Sequence, residues 1–295
     1  MKITNKMEFP DYIYNLFAHE WYSGHDAPHD YSATQFCGTP TQTVLQNRHK
    51  DEIECDIIDL ASKVLGVGIH YVAEIANKDA GYVVEARKYM KVDGKVISGQ
   101  ADLYCPKTGK IVDWKNTKAT SYIYGGREPK YRIQLNINKL LFEANGLPVN
   151  ELEIVEIYSD WAKAKAAFDK KYPPNPFHVI RIGQNSQEET LAYIRHFIAD
   201  CRAIEDLPDD ELPPCSPEDR WERGGGWAVM QYGKTRAIRA GLDSEAEAEM
   251  YRNKYTKVQD TYIEHRQSTP VKCIDWCDVN KWCPFYKEYM KKEEQ

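Results

Sequence analysis

Two short segments constrain this chain more than any others: Ile97-Ser-Gly-Gln-Ala-Asp-Leu-Tyr104 and Lys110-Ile-Val-Asp-Trp-Lys115. Their period-2 alternation predicts two strands joined by a turn at Pro106-Lys107-Thr108-Gly109. Pairing them brings Asp102 and Asp113 together at one end of a small sheet. Lys115 projects to the same face as Asp113, because residues two apart on a strand share a face. Two carboxylates and one ammonium so placed can hold a divalent cation and still offer positive charge to a phosphate.

The acid-x-Lys tripeptide alone carries little weight. It occurs four times: Asp93-Gly-Lys95, Asp113-Trp-Lys115, Glu128-Pro-Lys130 and Asp169-Lys-Lys171. Asp93-Gly94 reads as a hairpin turn, Pro129 excludes a central strand, and Asp169 lies in a Lys-rich surface run. Only Asp113 has an apolar strand before it and a Gly99-x-x-Asp102 strand upstream.

Gly99-x-x-Asp102, Asp113-x-Lys115, a Gly66-x-x-x-His70-x-x-x-Glu74 helix upstream and a Gln134 helix downstream together resemble the PD-(D/E)XK nuclease superfamily. The likeness is nearest to its RecB-like branch, with CRISPR-associated and phage-encoded members, and covers roughly residues 60 to 145. Ile3-Thr-Asn-Lys6, Tyr31-Ser-Ala-Thr34 and the Cys-rich end are also similar to the phage type. Two positions depart from the pattern: Ala101 stands where the superfamily has Pro, and Asn138 ends its Gln-x-x-x-Tyr.

At 295 residues and 42% hydrophobic, the chain can bury one core with an appended module. No run of about 18 apolar residues predicts a membrane span. The opening Met1-Lys-Ile-Thr-Asn-Lys lacks an apolar stretch behind it, so no secretory signal and a cytoplasmic location (a bacterial host's) are expected. Eight cysteines then point to metal ligation over disulfides. A net charge of −6 does not advertise a nucleic-acid binder. Lys115, Lys118, Arg127, Lys130, Arg132 and Lys139 nonetheless cluster near the proposed centre, either as a solvated face or as phosphate contacts.

Along the chain, residues 1–50 form an N-terminal segment with a short helix near Pro10 to Trp21; His19, His25 and His29 read as surface histidines. A nuclease-like core is expected over 51–206. It opens with one long helix, Asp51 to Lys78, whose Ile53, Ile57, Leu60, Ala61, Val64 and Leu65 face inward. His70 and Glu74 share a face of that helix as a surface pair, or His70 serves as a metal ligand. Strands follow over Gly81–Val92, Lys95–Tyr104 and Ile111–Thr117, with Glu85 either a further acidic candidate or solvent-facing. Lys130–Asn145 is an amphipathic helix stopped by Gly146. Tyr131 on it is a substrate contact or a core residue. Glu151–Ser159 and Phe177–Ile182 extend the sheet, and Ser186–Ile204 is helical.

The acidic, Pro-rich Leu207–Pro214 marks a boundary. Residues 207–295 are read as a ββα insert and a Cys-rich module. The insert has a hairpin about Gly233, Lys234, Arg236 and Arg239 on its second strand, and one helix from Ser244 to Arg266. Cys273-x3-Cys277-x5-Cys283-Pro284 puts three cysteines in 11 residues. Zinc ribbons repeat C-x2-C, whereas a Cys-Pro ending with a distant fourth ligand suits an iron–sulfur cluster. Cys215 is favoured as that fourth ligand and Cys37 competes. Cys55, Cys105 and Cys201 read as buried thiols.

The resemblance implies an α/β (mixed α+β) fold with a restriction-endonuclease-like central mixed sheet flanked by helices. It implies a metal-dependent DNA nuclease, an exonuclease for preference, acting in phage or bacterial recombination, repair or processing with recombination or replication partner proteins. The alternatives are a non-catalytic DNA-binding subunit, a structure-selective endonuclease or an RNA nuclease. His70, Asp102, Asp113 and the Trp114 carbonyl would hold Mg²⁺ or Mn²⁺. Asp102, Asp113, Lys115 and Gln134 would be catalytic, and Tyr131, Lys118 and Arg132 would contact DNA. Cys215, Cys273, Cys277 and Cys283 would hold an iron–sulfur cluster, with Zn²⁺ as the alternative.

Overall fold

The computed structural model of the chain describes residues 2–19, 27–125 and 127–293, so Trp21 and His25 lie outside the described residues. The chain divides into two compact units, Met1–Asp206 and Leu207–Gln295.

In the first unit, β1 (Lys2–Thr4), α1 (Asp11–Ala18), β2 (Tyr31–Ser32), α2 (Pro40–His49), β3 (Glu54–Asp56) and α3 (Ala61–Lys78) precede a meander. The meander is β4 (Val83–Val92), β5 (Lys95–Cys105) and β6 (Lys110–Thr117). Then come α4 (Ala119–Tyr124), α5 (Glu128–Ala144), β7 (Glu151–Tyr158), α6 (Lys163–Phe168), β8 (Phe177–Arg181) and α7 (Gln187–Ile204). The central sheet is mixed and flanked by helices, as the sequence predicts. Its strands run β2-β5-β6-β7-β8, with β4 also paired to β5; β6–β7 and β2–β5 are parallel, and the remaining pairs antiparallel.

Turn chemistry sets the registers. Asp93 and Gly94 both adopt positive φ (48° and 81°), the requirement of a two-residue type I′ hairpin, and lock Val92 opposite Lys95. The second turn closes on the Cys105 carbonyl, which accepts from the amides of Thr108 (3.3 Å) and Gly109 (2.8 Å).

β5 and β6 then part company. They pair only from Cys105↔Lys110 to Leu103↔Val112. Further along β5, the partner is β2, at Tyr31↔Ile97 and Ser32↔Ser98. Residues 99–102 are left between two partners. Side chains repair the gap: Asn138 of α5 donates to the Gln100 carbonyl (3.0 Å), and the Trp114 amide donates to Asp102 Oδ2 (2.7 Å). Gly99 is needed there, because a Cβ would overlap Asn138 and Leu141 of α5.

One face of the sheet packs on α5 through Ala101, Tyr104, Ile111, Leu135, Phe142 and Ile154. The other packs Leu103, Val112 and Val155 with Trp114. Ala101 and Tyr104 lie in the same cluster although three residues apart, so the period-2 alternation slips once between them. Asp102 sits at the slip, and Glu85 opposite it has φ +48°.

Three expectations are corrected. The long helix from Asp51 is broken: Glu54–Asp56 pairs in parallel with β1, and Asp56 accepts from Thr4 Oγ1 (2.8 Å) and the Lys6 amide (2.9 Å). Ile53, Ile57 and Leu60 are buried before the helix begins, whereas Leu65 is exposed and α3 has no fully buried residue. The short first helix spans only Asp11–Ala18, and His19 and His29 are exposed. Cys201 is buried, but Cys55 and Cys105 are half-buried.

The second unit has β9 (Glu222–Gln231), β10 (Arg239–Leu242), α8 (Glu245–Tyr255), β11 (Thr261–Pro270), α9 (Val271–Asp275) and α10 (Pro284–Glu293). The expected helix from Ser244 to Arg266 is in fact α8 followed by β11. β11 pairs with β9 from Thr261↔Gln231 to Pro270↔Glu222, and this cross-strand pairing overrides the helical pattern. The insert is therefore ββαβ, with β9 central. Lys234 and Arg236 precede β10, so of the three expected strand cations only Arg239 is on it. Ser244 caps α8 by accepting from the Glu247 amide. Val229, Leu242 and Ala248 close a small core. Among the described residues, no helix is long and apolar enough to cross a membrane.

Candidate active site

The gap between β5 and β6 opens into a cavity of about 340 Å³. Ser32, Ala33 and Thr34 line one side, and His70, Glu85, Arg87, Gly99, Gln100, Asp102, Asp113, Lys115 and Gln134 the rest. Four segments of the chain thus supply it: the β2 loop, α3, the meander and α5.

Two groups of polar side chains meet there. The first is His70 with Asp102 and Glu85. His70 Nδ1 lies 3.2 Å from Asp102 Oδ1 and 3.7 Å from Glu85 Oε1. One ligand atom from each residue falls within 4.8 Å of the other two. An imidazole and two carboxylates at that spacing are a donor set suited to a divalent cation such as Mg²⁺ or Mn²⁺. Hydrogen bonds that the imidazole donates to Asp102 and Glu85 push the His70 pKa up to about 10, against the opposing effect of burial.

The second group is Asp113, Lys115 and Gln134. Lys115 Nζ stands 2.6 Å from Asp113 Oδ1 and donates to Gln134 Oε1 at 3.2 Å, while Gln134 Nε2 donates to Asp113 Oδ2 at 2.9 Å. Asp113 is only 1% exposed. Burial, reinforced by the charge of Asp102, raises its pKa to about 6 despite Lys115 alongside. Burial opposes the charge on Lys115, but Asp113 and Asp102 outweigh it and raise the ammonium pKa. The ammonium stays charged at a site with little water to screen it.

Other predicted residues fall elsewhere. Tyr131 is buried and donates to Glu156 Oε1 (2.9 Å), which also accepts from Ser121 (3.0 Å); Tyr158 donates to Glu156 Oε2 (2.9 Å). Lys118 donates to Ser159 (3.2 Å) and Arg132 to Asn185 (2.9 Å). None of Tyr131, Lys118 and Arg132 lines the cavity. Asn138 is fully buried, occupied with the Gln100 carbonyl. Glu85, read as a further acidic candidate or as solvent-facing, lines the cavity, and so does Arg87, which the sequence reading did not name. The signal for Glu85 lay in the hairpin: with Val92 opposite Lys95, residue 85 falls opposite 102. Arg87 is aimed by its bonds to Ser98 Oγ (3.3 Å) and Gln100 Oε1 (2.7 Å).

The cysteines separate by unit. Cys37 lies in the first, its thiol donating to the Lys130 carbonyl at 3.4 Å, and burial pushes its pKa to about 11. Cys215, Cys273, Cys277 and Cys283 lie in the second. Burial raises Cys273 to about 12, with further contributions from Cys277, Cys283 and Cys215, and burial likewise raises Cys277 to about 11. Asn280 donates to the Cys273 carbonyl (2.8 Å), holding the loop between Cys277 and Cys283. Arg220 donates to the Cys215 carbonyl and covers the Phe285 ring at 4.0 Å.

No protein-family model and no curated protein sequence matches the chain. Among solved structures it is similar to SSO0001, at 16% identity over 63% of this chain and 83% of that one, with a TM-score of 0.45. It is also similar to a phage-related exonuclease from Haemophilus somnus 129PT, at 11% identity over 66% and 80%, with a TM-score of 0.31.

The His70 ion pairs give a pH signature in metal-free protein. A folded pKa of about 10 against an ordinary 6.5 means that their stabilisation is full below about 6.5 and is lost as pH rises through 10. The unfolding free energy of wild type minus that of His70→Gln, from urea titrations, should therefore shrink steadily from neutral pH toward pH 10. A difference that does not vary with pH would show that His70 is not held by Asp102 and Glu85.

Proposed function

We propose that the chain is a divalent-metal-dependent nuclease of PD-(D/E)XK type, RecB-like, that hydrolyses DNA phosphodiester bonds. The observation that carries this reading is the meeting of two chemically different groups across one cavity. On one side, the His70, Glu85 and Asp102 donor atoms suit a divalent cation; on the other, the Asp113-bound ammonium of Lys115 is held by Gln134.

His70, Glu85 and Asp102 would hold Mg²⁺ or Mn²⁺, with Asp113 and the Trp114 carbonyl on the side of β6. When bound, the metal lowers the pKa of a water and screens the phosphate oxygens. The chain's own groups do the positioning. Asp113 and Gln134 fix the Lys115 ammonium so that it faces negative charge as the phosphorus gains a fifth oxygen. The water oxygen bonds to phosphorus, the bond to one sugar oxygen breaks, and that oxygen leaves with a proton as an alcohol. Exonuclease action is the preferred mode, as the resemblance implies. A role in phage or bacterial recombination, repair or replication, with partner proteins from those processes, belongs to the same reading.

In the second unit Cys215, Cys273, Cys277 and Cys283 would hold an iron–sulfur cluster. The electrostatic coupling of Cys273 and Cys283 to Cys215 supports Cys215 as the fourth ligand. Binding would require the thiols to ionise, against the burial that raises Cys273, Cys277 and Cys283, so the metal's free energy would become folding energy for this unit.

Lys115→Ala should reduce cleavage of labelled DNA in Mg²⁺ or Mn²⁺ by about 10²–10³-fold, the cost of one strong electrostatic stabiliser, while circular dichroism stays that of wild type. Cleavage at the wild-type rate by a folded Lys115→Ala protein would overturn the assignment. Separately, Cys215→Ser should lose bound iron and the brown colour on anaerobic purification, and Cys37→Ser should keep both. The reverse pattern would move the fourth ligand to Cys37, and colourless wild-type protein rich in zinc would replace the cluster with a zinc site.

A further inference from the structure

The ββαβ sheet of the second unit has a tip with a composition unlike the rest of the chain. From Gln231 to Arg239 there are three cations, Lys234, Arg236 and Arg239, and no acid, in a protein of net charge −6. β9 ends, and β10 and β11 begin, at the same end of the sheet. The loop 232–238 therefore lies beside the loop 256–260, and the Tyr232 amide donates to the Asp260 carbonyl at 3.0 Å. The second loop contributes exposed Lys257, and Asp260 is the only acid in the two loops.

The tip is held in shape. Gly233 turns the chain with φ +74°. Arg252 donates to the carbonyls of Val258 and Thr261, both at 2.8 Å, and so pins the second loop. Tyr232 and Tyr262 pack ring against ring, 5.1 Å between centroids and tilted by 34°. Tyr232 is 63% exposed, so most of a large aromatic side chain stands in water beside the cations.

Cations that only keep a sheet edge soluble need no aromatic ring among them. A ring standing in water, fixed by a second ring, offers a π-face to a flat partner. Cations around it suit the charges that such a partner carries at regular spacing. Unpaired nucleotides have both features, whereas duplex bases already have their faces covered. We propose that this tip is a second nucleic-acid contact, distinct from the β5–β6 cavity. Tyr232 takes the face of an unpaired base, and Lys234, Arg236, Arg239 and Lys257 hold the flanking phosphates of a single strand.

The test is equilibrium binding of a fluorescent oligo-dT single strand to the full chain, by anisotropy, with no divalent ion added and over a range of salt. Because binding is read without cleavage, failure of the nuclease reading and failure of this one are separable. Tyr232→Ala should weaken binding by between about fivefold and a hundredfold, the range for one lost base stack, while Tyr232→Phe stays near wild type. The double variant Lys234→Gln/Arg236→Gln should lower the slope of log affinity against log salt by about 1.4, at about 0.7 per lost contact. A duplex of matching sequence should bind without regard to Tyr232→Ala. Wild-type affinity in Tyr232→Ala together with an unchanged slope in the double variant, both proteins melting as wild type, would overturn the proposal. So would equal loss of duplex binding in Tyr232→Ala, or polyglutamate bound as tightly as oligo-dT.

Discussion

The parting of β5 from β6 is the constraint on which the first unit depends. A sheet stays closed when every backbone group between two strands finds its partner. Here the ladder stops at Leu103↔Val112, and β2 takes over only at Ser98. The intervening residues keep their hydrogen bonds through side chains, Asn138 to the Gln100 carbonyl and Asp102 to the Trp114 amide. Unpaired buried backbone groups would cost about 1–3 kcal/mol each. These two bonds let the sheet open without that loss, and the opening is the cavity. Asp102 both closes the gap and faces the site, so fold and candidate chemistry share a side chain.

Charge is arranged around the gap so that burial works against each group alone and its neighbours rescue it. Asp113, 1% exposed, is kept from an ordinary carboxylate pKa by burial and by Asp102. Burial opposes the charge on Lys115, and those same carboxylates outweigh it. Gln134 bridges the pair with one donor and one acceptor, a role a charged side chain on α5 could not fill. On the far side His70 supplies positive charge between Asp102 and Glu85. A divalent cation at that position would substitute for the imidazolium proton, which is the physical link between the donor set and the proposed reaction.

Much of this was legible in the sequence. The meander was readable because Asp93-Gly94 and Pro106–Gly109 are turn signals flanked by alternating strands, and they place Asp102, Asp113 and Lys115 together. The same hairpin register places Glu85 opposite Asp102, but that step needs the strand pairing and not the alternation alone. Tyr131 and Gln134 show the limit. Three residues apart on α5, both point toward the sheet, yet only Gln134 reaches the cavity, while Tyr131 turns to Glu156 on β7. Helical periodicity gives the face and not the strand beneath it. Residues 54–56 and 261–266 were misread for a related reason. Their partners, β1 and β9, are distant in sequence, and pairing with them outweighs a local pattern that also suits a helix.

The central claim is that the two polar groups facing each other across the β5–β6 gap act on one phosphodiester. The most direct measurement is the product pattern from end-labelled single- and double-stranded DNA, incubated with the wild-type protein in Mg²⁺, in Mn²⁺ and with no divalent ion. Strand shortening that requires either metal, with small products released from an end, is the expected result. DNA left intact in both metals by folded protein, or cut equally well without them, would contradict it.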